Sequence, residues 1–129
     1  MTDTLRAGTA LVSIVGRGFG PVAAVHETLT DAFAYAGPMR DQITEDGMIC
    51  RALVLRISGH PDERAQQTRL PAVPFDAGGL DPRQARVRVA AVTPDDWRAV
   101  TAVISAAHPL VGEPALEPDG TAVLVVTVT

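Results

Sequence analysis

The sequence predicts an α+β fold in which two β-α-β-β units form a two-layer sandwich, with two helices on one face of an antiparallel or mixed sheet. Three observations lead there. A chain of 129 residues is the size of one domain or of two small halves. Each half opens on a short β-branched run followed by an amphipathic helical stretch. Between the halves lies a segment rich in Pro and Gly. The units are residues 1–58 and 85–129, with 59–84 as the connector.

Residues 9–16, Thr-Ala-Leu-Val-Ser-Ile-Val-Gly, read as a strand closed by glycine. Arg17-Gly18-Phe19-Gly20-Pro21 follows as a glycine loop with Pro at a first helical position. Val22, Val25, Leu29, Ala32, Phe33 and Ala36 then recur at helical spacing, which predicts a helix over 21–36 stopped by Gly37-Pro38. Residues 39–46 suit a polar edge strand, and Asp46-Gly47 is a hairpin turn into a strand over 48–58. Residues 59–84 read as a long connection, with one helical turn near 62–69.

The second unit starts with a strand at 86–92 whose opening alternates polar and apolar. Thr93-Pro94-Asp95-Asp96 supplies a capping hydroxyl, a first-turn proline and two acids for the positive end of a helix. Trp97, Val100, Val103, Ile104 and Ala107 form its apolar stripe, ended by His108-Pro109. Leu110 to Glu117 read as a weak strand broken by Pro114, and Pro118-Asp119-Gly120 as a turn. Residues 121–129 are apolar on both faces, the pattern of a central, doubly buried strand. With both helices on one side, the other face of the sheet is left to water, a partner or a second copy. Its valines favour self-association.

Composition narrows the function classes. No apolar run reaches the length of a membrane span, and no basic segment with a following apolar stretch marks a secretory signal. All 11 basic residues are Arg, so mechanisms that need a Schiff-base or phosphate-loop lysine are excluded. A net charge of −4 and few aromatic residues argue against nucleic-acid binding. The lone Cys50 allows no intramolecular disulfide, which fits a reducing, cytoplasmic setting. No cofactor motif is present: the G-x-G-x-x-G fingerprint fails because its third glycine falls at Pro21.

The strongest local candidate for chemistry is the loop itself. Glycines let a ligand approach the backbone, the N–H groups at a helix start favour a carboxylate, and Arg17 offers a bidentate clamp. The alternative is a tight turn that needs positive φ. His26, His60 and His108 show no metal-ligand spacing. Asp62-Glu63 reads as solvated loop, and Ser13, Ser58 and Ser105 lack a nucleophile elbow. Cys50 and Trp97 read as packing residues.

The stretch Val12-Ser13-Ile14-Val15-Gly16-Arg17-Gly18-Phe19 resembles the opening of ACT domains, especially those of aspartate kinases, over residues 10–57. The resemblance implies a ferredoxin-like sandwich and a regulatory module that binds an amino acid where two modules meet. It assigns ligand binding to Arg17, Gly18, Phe19 and Gly20. The expectation is therefore a non-catalytic module for an amino acid or other small carboxylate, acting as a homo-oligomer without metal or cofactor. The alternatives are a structural assembly protein, or a small enzyme of the dimeric α+β barrel type with His26 or Asp41 as its acid–base group.

Overall fold

A computed structural model describes residues 7–45, 47–58 and 79–128. The chain runs β1 (Thr9–Gly16), α1 (Phe19–Ala32), β2 (Ala34–Ile43), β3 (Ile49–Arg56), β4 (Gln84–Ala91), α2 (Pro94–Ala107), β5 (Ala115–Leu116) and β6 (Ala122–Thr127). The strands form one six-stranded sheet in the order β2-β3-β1-β4-β6-β5, and every pairing is antiparallel. The β-α-β-β order occurs twice, as expected.

The two halves correspond closely. β1 and β4 are eight-residue strands, each followed after two residues by a fourteen-residue helix. They pair with each other at the centre of the sheet, with Ser13 opposite Arg88. From that ladder outward the sheet reads β1, β3, β2 on one side and β4, β6, β5 on the other, an internal two-fold arrangement.

Strand alternation builds the main core. Ala10, Val12 and Ile14 of β1, Leu53 and Leu55 of β3, Val87 and Val89 of β4 and Leu124 and Val126 of β6 turn one face toward the helices. There they pack with Val22, Val25 and Leu29 of α1 and Val100 and Ile104 of α2. At about 25 cal/mol per Å² of apolar surface, this shared layer is the chief stabilising term. On the opposite face Leu11, Ser13, Val15, Cys50, Ala52 and Val54 are also buried. Leu80 packs there against Val15 and Cys50. Over β1 and β3 the second face is thus covered within a single chain, and it is not the bare surface that the two-layer reading left for a partner.

Several elements differ from the sequence reading. The first helix spans Phe19–Ala32 and not 21–36, and its last bond runs from the Phe33 N–H to the Leu29 carbonyl. Phe33 and Ala36 fit helical spacing, but the chain is already extended there. Tyr35 pairs with Leu55, and Ala36 packs with Leu11 and Val54. Gly37-Pro38 therefore lies inside β2, at a shift in register between Tyr35 and Met39. An edge strand tolerates proline because its outer N–H groups need no partner strand.

The last strand is second from the edge and not central. Its residues alternate between buried and half-buried, because β-branched residues also suit a partly exposed face. Leu110 to Glu117 contribute an isolated bridge from Leu110 to Val126 and the two-residue β5, on either side of Pro114. The β2–β3 connection closes through Thr44, Gly47 and Met48, with Gly47 at φ +85; Asp46 lies outside the described residues. So do 59–78, which hold most of the expected connector, His60, Asp62-Glu63 and the helical turn near 62–69.

Candidate functional site

The N-terminal end of α1 carries the residues singled out from the sequence. Gly18 is the N-cap, and Phe19 and Gly20 begin the helix. None of Gly16, Gly18 and Gly20 has the left-handed backbone that a tight turn would need, and Gly18 is extended at φ 164. A Cβ at Gly18 or Gly20 would meet nothing within 4 Å. Only Gly16 is sterically constrained, since a Cβ there would lie 3.1 Å from Val22 Cγ2. The turn alternative for this loop is thereby overturned: the fold itself does not demand glycine at 18 or 20.

The two helix starts differ at corresponding positions. At α2 the Thr93 hydroxyl accepts from the Asp96 N–H, and Asp95 and Asp96 sit in the first turn. Side chains thus satisfy the exposed amides and balance the dipole. At α1 the cap is Gly18, with no side-chain hydrogen bond and no acid in the first turn. Beside this end lies a shallow groove of about 450 Å³ lined by Gly20, Pro21, Ala24, Pro82, Arg83 and Val128. Arg83 is exposed there and makes no ion pair among the described residues. Arg17 is partly spent, because its Nε donates to the Leu80 carbonyl and ties the 79–83 turn to the loop. Phe19 remains 52% exposed. Of the four expected binding residues, the structure brings Gly20 into the groove and leaves Arg17, Gly18 and Phe19 outside its lining.

On the other flank of α1 the structure assembles a network. Arg51 of β3 holds Asp41 of β2 through both carboxylate oxygens, Nε to Oδ1 at 2.8 Å and Nη2 to Oδ2 at 3.0 Å. Its Nη1 lies 3.0 Å from Nδ1 of His26, whose Nε2 lies 2.6 Å from the Tyr35 hydroxyl. A guanidinium only donates. Nδ1 is therefore the acceptor, the imidazole is neutral with its proton on Nε2, and Tyr35 accepts that proton's hydrogen bond. Burial and then the adjacent Arg51 charge lower the pKa of His26, which Asp41 partly opposes. The Arg51 hydrogen bonds hold the Asp41 carboxyl below its ordinary range.

The sequence singled out His26 and Asp41, and here they share one network. Arg51 and Tyr35 were missed: Arg51 lies in the run read as a strand, and Tyr35 fell inside the stretch read as helix, 21–36. Both imidazole nitrogens are hydrogen-bonded, and both oxygens of Asp41 are bound by Arg51.

Elsewhere, Asp96 is buried, and its Oδ2 accepts from the Gly8 N–H at 2.8 Å. The capping pair thus also anchors the entry to β1. His108 caps the end of α2 and bonds Thr28 of α1 through Nε2 at 2.8 Å. Cys50 is buried, and that burial raises its pKa, as expected of a packing residue. Among the described residues no group of three or more His, Cys, Asp or Glu side chains could hold a metal, and no helix is long and apolar enough to cross a membrane. No protein-family model, no curated protein and no solved structure matches the chain.

Proposed function

We propose that this protein is a non-catalytic binding module for a small carboxylate, an amino acid among the candidates, held at the N-terminal end of α1. The observation that carries this reading is the contrast between the two helix starts. One is closed by its own hydroxyl and acids; the other opens, uncapped, beside a groove with Arg83 at its rim. A helix N-terminus favours an anion, and a guanidinium adds a charge-assisted partner. The strand–loop–helix succession across residues 12–19 also agrees with an ACT-like, ferredoxin-like opening. In this chain, however, the second helix follows β4 and completes a second β-α-β-β unit.

Homo-oligomeric assembly belongs to the same proposal, with its surface moved from the sheet face to the sheet edges. Exposed Tyr35, Met39 and Ile43 lie on β2, and exposed Leu110, Val111 and Leu116 lie on or beside β5. Edge strands with apolar side chains are the part of a sheet most disposed to pair with another chain.

The test is a thermal-shift screen of L-amino acids and short mono- and dicarboxylates against the wild-type protein, Gly18→Val and Arg83→Gln. A ligand at ~100 times its Kd adds about 2.7 kcal/mol to the folded state. The wild type is expected to respond to one member of the panel. Gly18→Val should lose the response, because its side chain stands at the N-cap of α1, where the carboxylate would be held, and should keep its unliganded melting temperature, because a Cβ there meets nothing within 4 Å on an extended backbone. Undiminished affinity in Gly18→Val would remove the loop from the proposal.

A further inference from the structure

We propose that His26 is a proton-operated latch between α1 and the edge strand β2, closed when the imidazole is neutral and opened when it is protonated. The geometry leaves little choice of protonation state in the closed form. Arg51 Nη1 donates to Nδ1 at 3.0 Å, so Nδ1 carries no proton, and the single proton on Nε2 is directed at Tyr35. Protonating His26 places an N–H on Nδ1, opposite another donor, and sets a second positive charge against the guanidinium. The Arg51–His26 hydrogen bond is then lost. The imidazolium swings from Arg51, and the Nε2–Tyr35 bond goes with it.

The groups around His26 decide the direction. From β3 comes Arg51, which opposes the charged form, and from β2 come Asp41, which favours it, and Tyr35. Asp41 does not rescue the imidazolium, because both of its oxygens already bind Arg51. On α1 itself, Glu27 is the neighbouring residue and is exposed, while the Thr30 hydroxyl is turned back to the His26 carbonyl. α2 packs on α1 through the apolar side chains of Val100 and Ile104, and among the described residues its side-chain hydrogen bond to this helix runs from His108 to Thr28 and not to His26. Burial and Arg51 together outweigh Asp41, so the latch opens below the ordinary histidine value of 6.5.

The element it releases is the segment of β2 before its register shift. Ala34 and Tyr35 pair with Arg56 and Leu55, and regular pairing resumes only at Met39. Tyr35 therefore depends on its hydroxyl for a tie to the helix layer more than a residue inside an unbroken ladder would. The corresponding position on α2 is Thr101, whose hydroxyl bonds back to Arg98; the device belongs to the first half alone.

Tyr35 is the only tyrosine of the chain, which gives a clean readout by nuclear magnetic resonance. The experiment follows the ring nitrogens of His26, the Tyr35 ring and the amides of 34–36 from about pH 8 to about pH 5, the range in which histidine titrates. At the upper end the His26 proton is expected on Nε2. As pH falls, the signals of 34–36 should move with the midpoint of His26, below 6.5. In His26→Gln that pH-dependent movement should vanish, and in Arg51→Gln the His26 midpoint should rise. Tyr35→Phe keeps the imidazole and its guanidinium partner, so His26 should still titrate while 34–36 cease to follow it. A proton on Nδ1 in the neutral form overturns the proposal, as does movement of 34–36 that persists unchanged in His26→Gln or in Tyr35→Phe.

Discussion

Ser13 is 1% exposed, and its hydroxyl has no hydrogen-bond partner among the described residues. A buried hydroxyl left unpaired costs about 1–3 kcal/mol. Ser13→Ala should therefore raise stability by about 1 kcal/mol, read as a higher urea midpoint at unchanged slope. The opposite outcome is expected at Asp96, whose carboxylate accepts from Gly8 N–H across 88 positions and sits in the first turn of α2. Removing it in Asp96→Ala leaves that amide unpaired and should cost about 2 kcal/mol. Half of this residue was legible in the sequence. Thr93-Pro94-Asp95-Asp96 announces a helix start because capping is local chemistry, whereas nothing local foretells a bond to Gly8. The same limit explains the histidine network. His26 and Asp41 stood out as titratable groups, but only the packing of α1 against the β2–β3 hairpin brings Arg51 and Tyr35 to them.

At the scale of elements, the His26 network makes stability depend on pH in a direction that can be worked out. Both His26 and Asp41 have pKa values below their ordinary ones, 6.5 and 3.8. A depressed value in the folded state means that the unfolded chain binds the proton first. The His26 contribution is thus fully present above pH 6.5 and is lost as the pH falls through its folded value; the Asp41 contribution follows below 3.8. Denaturant midpoints measured across pH should fall in these two steps, and His26→Gln should abolish the upper one alone. Core substitutions on the two helices should behave alike, since Leu29 and Ile104 are fully buried in one shared cluster. Either change to Ala should cost about 2–5 kcal/mol. Of the elements themselves, strands and helices in both halves were readable from periodicity. The end of α1 was not: Phe33-Ala34-Tyr35-Ala36 satisfies helical spacing, and only the pairing of Tyr35 with Leu55 makes it strand. The last strand misled for a related reason, because valine suits a half-exposed face as well as a buried one.

For the whole molecule, the internal two-fold arrangement supplies its own control. Two strands of equal length feed two helices of equal length, yet one helix start is capped by its own residues and the other opens on a groove. The repeated β-α-β-β order was visible in the sequence, and so was the glycine loop. The groove was not, because Pro82, Arg83 and Val128 reach it from distant parts of the chain. The most direct measurement is an amide shift map of the protein titrated with the carboxylate that gives the largest thermal shift. The account predicts saturable shifts at Phe19, Gly20 and Val22, together with Arg83 and Val128, and none at Asp95 and Asp96 of the capped helix. Equal shifts at both helix starts, or a saturating ligand that moves neither the α1 amides nor Arg83, would contradict it.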